Sequence, residues 1–287
     1  MDNTCGLFLI DKPAGISSFD VIRVLRRTTQ IKKMGHTGTL DPFATGLMLI
    51  LTGKATRLIK YIANETKGYH VKMRFGQQTD TGDPEGEIDS ESPPPDLTDS
   101  DLVLLKENVL KITEQTPPKY SAVKINGQRA YKLARKKQEV VLTSRPVQIL
   151  EFHLHEYMND ELEYDVLVSK GTYIRVLSET IGTLCGSAGY TLALSRTSAG
   201  NTKLADAFPL ESVTVDNWTE HLCDPALLLE HLPIVEISEM EKIDFSQGKK
   251  APIEDDITGK CRVYSNGIFC GIARVEDGLL KPETVLI

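Results

Sequence analysis

Twelve residues, Gly35-His36-Thr37-Gly38-Thr39-Leu40-Asp41-Pro42-Phe43-Ala44-Thr45-Gly46, run without a break into Leu47-Met48-Leu49-Ile50-Leu51. No other stretch constrains the chain as tightly. Five consecutive apolar residues have to be buried, so whatever precedes them is mounted on a core. Glycine lets the backbone turn where a side chain would clash. Proline biases the residue before it, Asp41, towards an extended conformation. Asp41 is therefore expected to stand on a stiff, loop-like platform, a good mount for a reactive group. Asp and Pro are also ordinary turn residues, and a plain turn is the competing reading.

The chain has 287 residues, enough for one large domain and a small one. Charged residues at 25% and hydrophobic ones at 40% describe an ordinary soluble protein. No apolar run approaches the ~20 residues of a membrane-spanning helix, and the first residues lack the basic start and apolar segment of a signal peptide. The five cysteines form no C-x-x-C pair, so a reducing cytosol is expected, without a disulfide framework or a zinc site. A net charge of −7 argues on its face against a nucleic-acid partner. The distribution is uneven, however. Residues 1–75 carry 12 basic and 5 acidic side chains, and residues 116–150 carry 8 and 1. Phosphate binding depends on such local clusters, not on the global sum.

Leu7 to Ile10 reads as a short buried strand. Ser17 lies three residues before Asp20, a capping-box start for a helix with Val21, Val24 and Leu25 inward. Its arginines, Arg23, Arg26 and Arg27, fit a solvated face as well as they fit RNA contact. Ala55, Leu58, Ile59 and Ile62 predict a short amphipathic helix, and Tyr69 to Phe75 alternates as a half-buried strand. Residues 76–101 are acidic and rich in Gly and Pro, with no apolar period, and are expected to form a solvated loop. Asp80, Asp83, Glu85 and Glu87 lack the spacing of a calcium loop. Residues 116–135 interleave Lys and Arg with Tyr120 and Tyr131, as a surface tracking phosphates and stacking bases requires. A solvated basic helix and hairpin is the alternative. Tyr164, Val166 and Val168 mark another strand. The helix after it has Ile174, Leu177 and Ile181 inward and Gly186 as its C-cap. Arg175 sits in the first turn, where a cation opposes the helix dipole and needs an anionic partner. Gly189 to Arg196 adds a strand with Tyr190, Leu192 and Leu194 on one face. From residue 233 a small helix precedes short strands joined at Asn266-Gly267 and Asp277-Gly278, both strong hairpin signals. His153 and His155 share a strand face with no third ligand near in sequence, and read as structural.

The stretch Gly38 to Met48 resembles GxLDPxATGxL, the catalytic motif of the TruB family of tRNA pseudouridine synthases. Lys12-Pro13-Ala14-Gly15-Ile16-Ser17 resembles the family's KPxGxxS motif, which the resemblance makes a mainly structural segment near the active site, and Lys170-Gly171-Thr172-Tyr173-Ile174-Arg175 resembles its KGTYIR motif. The resemblance runs from Gly6 to the C-terminus. It implies an α/β (α+β) pseudouridine synthase fold, a mixed, largely antiparallel sheet with flanking helices, over residues 1–232. An RNA-contacting insertion would lie at about 116–143, and a small all-β PUA-like RNA-binding domain at 233–287. It implies an isomerase that converts a uridine of the tRNA T loop to pseudouridine without cofactor or metal. Asp41 would be the catalytic residue, Arg175 its partner, and Tyr69 a stacking platform for the base. Leu194 would wall the base pocket, and His36 would fill the gap left by the flipped uridine. Lys12, Lys124, Arg129 and Tyr131 would contact RNA. The expected partner is the tRNA T arm alone, bound by a monomer in the cytoplasm, away from membranes.

The reaction breaks the bond from ribose C1′ to uracil N1 and joins C1′ to uracil C5. No group leaves and no redox change occurs, so a carboxylate, a held base and exclusion of water suffice. A guanidinium at Arg175 would keep Asp41 charged and grip it bidentately. Two other readings compete: a non-catalytic RNA-folding protein on the same scaffold, and an aspartate-nucleophile hydrolase of small molecules. The second lacks another acid/base carboxylate near Asp41 and leaves the basic 116–137 segment unexplained.

Overall fold

Alternation along two neighbouring strands decides where the core lies. In the computed structural model β1 (Gly6–Lys12) pairs antiparallel with β3 (Thr45–Thr52), the strand formed by the apolar run. Phe8, Ile10, Met48 and Ile50 point into one hydrophobic core. Leu7, Leu9, Leu47, Leu49 and Leu51 point into a second. Both faces are covered, which is why this strand is apolar without interruption rather than alternating. The structure describes residues 4–62, 66–121, 142–253 and 257–287, together with the backbone of two short strands, Lys124–Ile125 and Gln128–Arg129.

Around this pair the chain builds a nine-stranded sheet. The elements in and around it are α1 (Ser18–Thr29), β2 (Met34–His36), β4 (Lys67–Phe75), β5 (Gln77–Thr79), β6 (Ile88–Glu91), α2 (Asp99–Leu110), β7 (Ile149–Met158), β8 (Glu161–Val168), α3 (Ile174–Leu184), β9 (Gly189–Ala199), β10 (Thr202–Lys203) and β11 (Phe208–Pro209). The strand order is β7-β8-β4-β9-β3-β1-β11, with β10 on β9 and β2 on β3; β5 and β6 form a separate hairpin. Only β1–β11 and β9–β3 are parallel, so the sheet is mixed and mainly antiparallel, as expected. Helix α1 starts at a capping box, Ser17 with Asp20, and buries Val21, Ile22 and Leu25. Helix α3 buries Ile174, Leu177 and Ile181. Under it Tyr164, Ser178 and Thr191 join in a buried hydroxyl chain, at 3.2 and 2.8 Å.

Three expectations need correction. Gly53–Tyr61 is a 3-10 helix, and its buried Ala55, Leu58 and Tyr61 fall every three residues, the period of that helix. The acidic excursion is not a loop throughout. It contains the β5–β6 hairpin, and α2 begins at Asp99 under a capping box of Thr98 and Asp101. In β9 a register shift between Thr191 and Ala193 breaks the alternation, so Leu192 is half-buried while Thr191 and Leu194 are buried.

The tail forms a five-stranded sheet, β12 (Ile234–Glu236), β13 (Ala251–Pro252), β14 (Gly259–Ser265), β15 (Ile268–Glu276) and β16 (Leu279–Val285), in the order β12-β14-β15-β16-β13. It also carries α4 (Glu239–Ser246), so the module is sheet-rich rather than all-β. Both hairpin signals hold: Asn266-Gly267 and Asp277-Gly278 have positive φ at both residues, as a type I′ turn requires. Ile272 and Leu286 of the tail insert into the second core beside Leu7 and Leu58. Tyr61 Oη meets Thr284 Oγ1 at 2.9 Å across the same junction. No helix among the described residues is long and apolar enough to cross a membrane.

Candidate active site

The Asp41 loop is tied down on both sides of the carboxylate. Ser18 Oγ accepts from Leu40 N–H and donates to Leu40 O, both at 2.8 Å. Pro42 O accepts from Gly15 N–H at 2.8 Å and from Lys12 Nζ at 3.2 Å. The exit is as tightly set. Gly46 has φ +100°, and a Cβ there would lie 2.5 Å from the Arg196 carbonyl oxygen. Only glycine satisfies the conformation and the approach of β9 together.

Asp41 meets a guanidinium that is almost wholly buried. Arg175 Nε lies 2.9 Å from Asp41 Oδ2. The rest of the guanidinium is engaged elsewhere. Nη1 lies 3.3 Å from Asp83 Oδ2 and donates to Thr81 O at 2.5 Å, and Nη2 donates to Tyr120 O at 2.9 Å. The expected bidentate grip is thus replaced by one contact to Asp41, with a second carboxylate sharing the arginine. Asp83 is itself buried. Its Oδ1 accepts from Thr81 Oγ1 at 2.7 Å and from Glu85 N–H at 3.1 Å. Burial pushes the Asp41 carboxyl above its usual range, and Asp83 adds to the rise; Arg175 and Lys12 work against it. The cost of removing a carboxylate from water outweighs its counterions here.

Tyr69 lies on β4 with its ring in the first core. Burial raises its phenol and Asp41 adds to this, while Arg196 opposes. Arg196 is a buried brace: Nε donates to Leu47 O at 2.6 Å and Nη2 to Gly38 O at 3.3 Å. It ties the start of the loop, its exit strand and the strand of Leu194 into one piece. Leu194 is buried on β9, where its carbonyl accepts from Thr45 Oγ1 at 3.4 Å. His36 is half-buried at the end of β2, opposite Ile50 of β3. Lys12 departs from expectation. It is fully buried, with Nζ on Pro13 O at 2.8 Å as well as on Pro42 O. Burial lowers it to about 8, against the pull of Asp41, Glu85 and Asp20. A side chain so enclosed is a strut under the loop and offers no surface to a phosphate. The side chains of Lys124, Arg129 and Tyr131 lie outside the described residues.

Asp83 and Arg196 were missed by sequence reasoning. Arg196 was within reach of it, since it stands two residues beyond Leu194 on one strand. Asp83 sits in a turn-rich run whose burial comes from tertiary contacts, including Thr191 N–H donating to Gly82 O at 3.1 Å. The carboxylates at the site are already held by a guanidinium. A group of metal-type donors, His70, His155 and Asp165, lies elsewhere among the described residues.

The N-terminal family model of the TruB family pseudouridylate synthases matches residues 26–174. The C-terminal model, described as pseudouridine synthase II TruB, C-terminal, matches residues 233–286. The chain belongs to the TruB family. A tRNA pseudouridine synthase B of Francisella tularensis subsp. novicida is 37% identical over 97% of this chain and 93% of its own. One of Trichormus variabilis is 33% identical over 98% of both. The same fold occurs in the crystal structure of a Cbf5-Nop10-Gar1 complex, with TM-score 0.73 and 21% identity over 98% of this chain and 85% of that one. The matched residues 26–174 include Asp41 and Tyr69 and end one residue before Arg175.

Proposed function

We propose that the chain isomerises a uridine of the tRNA T loop to pseudouridine, with Asp41 as the catalytic carboxylate. The observation that carries this reading is the contact of Asp41, on a loop braced from four sides, with the buried Arg175. Relatives of near-equal length that are named tRNA pseudouridine synthase B support the substrate class. Tyr69 holds the flipped base by stacking, Leu194 walls the pocket, and His36 takes the place the base leaves in the T loop. Flipping costs a few kcal/mol, to be repaid by these contacts. Asp41 either attacks the uracil ring or the ribose, or removes a ribose proton; each route uses its ionised form. Arg175 orients that form and opposes the rise that burial imposes.

The supporting architecture divides the work. Residues 1–232 are the catalytic domain, with the insertion at about 116–143 closing on the T arm through Lys124, Arg129 and Tyr131. Residues 233–287, with their own sheet and family match, are the RNA-binding module. The working unit is one chain, in the cytoplasm. Incubation with T-arm RNA followed by pseudouridine mapping tests the reading directly. The wild-type chain is expected to convert one T-loop uridine. Asp41→Asn is expected to bind the RNA normally and turn over at least a thousandfold more slowly. Asp41→Asn turnover within tenfold of wild type would remove Asp41 from the chemistry and favour a scaffold role.

A further inference from the structure

The face of the large sheet opposite Tyr69 carries a second cluster of chemistry-bearing side chains. His70 follows Tyr69 on β4 and so points to the other side. Asp165 of β8 is its register partner. On the far side of β8, His153 is the residue paired with Asp165, but a bulge between Leu154 and Glu156 leaves His155 as the extra residue of β7. Bulges re-aim side chains, and here His155 is the one that reaches Asp165. His70 Nδ1 lies 2.8 Å from Asp165 Oδ1, and His155 Nε2 lies 2.9 Å from Oδ2. One donor atom from each residue falls within 4.8 Å of the others. The three side chains are between 42 and 47% exposed, so solvent and ions reach them.

We propose that His70, His155 and Asp165 form a binding site for a zinc-class divalent cation, with water as the fourth ligand. Two imidazoles and a carboxylate suit zinc and its borderline neighbours. Magnesium and calcium demand six or more oxygens, which the cluster lacks. In a tetrahedral zinc site, bonds of ~2.0–2.1 Å set the donor atoms about 3.3 Å apart. The two N···O separations, to different oxygens of Asp165, are about half an ångström shorter, while the donor atoms as a set spread over up to 4.8 Å, so side-chain rotations have to gather all three onto one cation.

A positioning residue is also in place. Glu163 Oε1 lies 3.3 Å from His70 Nε2. A carboxylate there accepts the Nε2 proton and leaves the Nδ1 lone pair for the cation, the arrangement that orients metal-bound histidines. Lys72 sits 3.7 Å from the other Glu163 oxygen and holds that carboxylate in place. The three ligands come from three adjacent strands, so a bound cation staples β7, β8 and β4 directly behind Tyr69.

The test is zinc titration of the full chain after chelator treatment, with Co²⁺ as the spectroscopic probe. One saturable site of micromolar or tighter affinity is expected, unaffected by excess Mg²⁺. The Co²⁺ spectrum should be that of a tetrahedral nitrogen and oxygen site without a thiolate charge-transfer band, since the five cysteines are free and none belongs to the cluster. His155→Ala and Asp165→Asn should each weaken binding more than tenfold. Glu163→Gln should weaken it by about ten- to a hundredfold. His153→Ala should leave it unchanged, because His153 faces Glu151 instead, at 3.5 Å. Each variant's thermal midpoint without metal reports whether it is folded, and the two ligand variants back each other up. Absence of a saturable site, a thiolate signature, or wild-type affinity in both His155→Ala and Asp165→Asn would return the cluster to ordinary cross-strand hydrogen bonding.

Discussion

At Asp41 two opposing influences meet in one buried arginine. Arg175 favours the charged carboxylate, and Asp83, on the same guanidinium, disfavours it. The two neighbours are therefore expected to shift the reaction's pH dependence in opposite directions. If the ionised form of Asp41 is the active one, the rate rises with pH through its ionisation, which burial places above the ordinary value of about 3.9. Arg175→Met removes a cause that lowers this value and leaves two carboxylates uncompensated, so the acid limb should move upward and the rate collapse. The Arg175–Asp83 pair is the buried one, and breaking such a pair typically costs about 3–5 kcal/mol, whereas Asp41 keeps about a third of its side chain in solvent. Arg175→Lys should rescue little, because one ammonium cannot serve two carboxylates and two carbonyls. Asp83→Asn removes a cause that raises the value, so the acid limb should move downward. Single-turnover rates at saturating RNA between pH 5 and 9 measure both; shifts of the same sign would disconnect Arg175 and Asp83 from the ionisation of Asp41. Asp41 was legible through its glycine and proline platform and the motif its loop resembles, and Arg175 through a cation placed at a helix start. Asp83 carried no such signal, since its environment is made by Arg175 and β9.

The elements set how exactly the carboxylate is held. Gly46, with its left-handed φ and a backbone atom of β9 where a Cβ would stand, locks the parallel contact between β3 and β9. Gly46→Ala has to displace one strand, so a stability loss above ~1 kcal/mol is expected, together with a fall in turnover at unchanged RNA affinity. Denaturant unfolding and saturating rates measure the two; normal values of both would mean the approach relaxes freely. The proposed function assigns the basic 116–137 segment to RNA binding and not to chemistry. Neutralising Lys124, Arg129 and Lys132 should weaken RNA binding and flatten its salt dependence, whose slope follows the number of phosphates neutralised. An unchanged slope would make them a solvated face. Alternation and turn residues made the long strands and the tail hairpins readable. The 3-10 form of Gly53–Tyr61 was not, because its apolar residues suit a three-residue and a 3.6-residue period alike. Nor was Leu192's place in β9, where a bulge resets the alternation.

Across the whole molecule, the second core unites the two sheets. Leu7, Leu47 and Leu49 from the strands that mount the Asp41 loop pack with Ile272 and Leu286 of the tail. Lys54 Nζ donates to Ile287 O at 2.9 Å, and Arg57 donates to Val285 O. The sequence marked the tail by its change of texture at residue 233, but not this union, because an apolar strand face reads alike whether it covers its own domain or another. A shared core predicts shared unfolding. Ile272 is fully buried, and Ile272→Ala removes three carbons from the junction at a cost of about 2–5 kcal/mol. The chain's single tryptophan, Trp218, packs against the first core and not the shared second one, so it reports on the catalytic body. If the sheets unfold together, Ile272→Ala should lower the melting midpoint seen by Trp218 fluorescence by roughly 5 °C or more. The midpoint seen by far-ultraviolet circular dichroism should fall with it. A tail that merely rests on the catalytic body would give another result: Trp218 would melt at its wild-type temperature after an earlier loss of strand signal. In the coupled case the tail's packing bears on the site itself, because β3 leaves the Asp41 loop at Gly46 and enters the shared core one residue later, at Leu47.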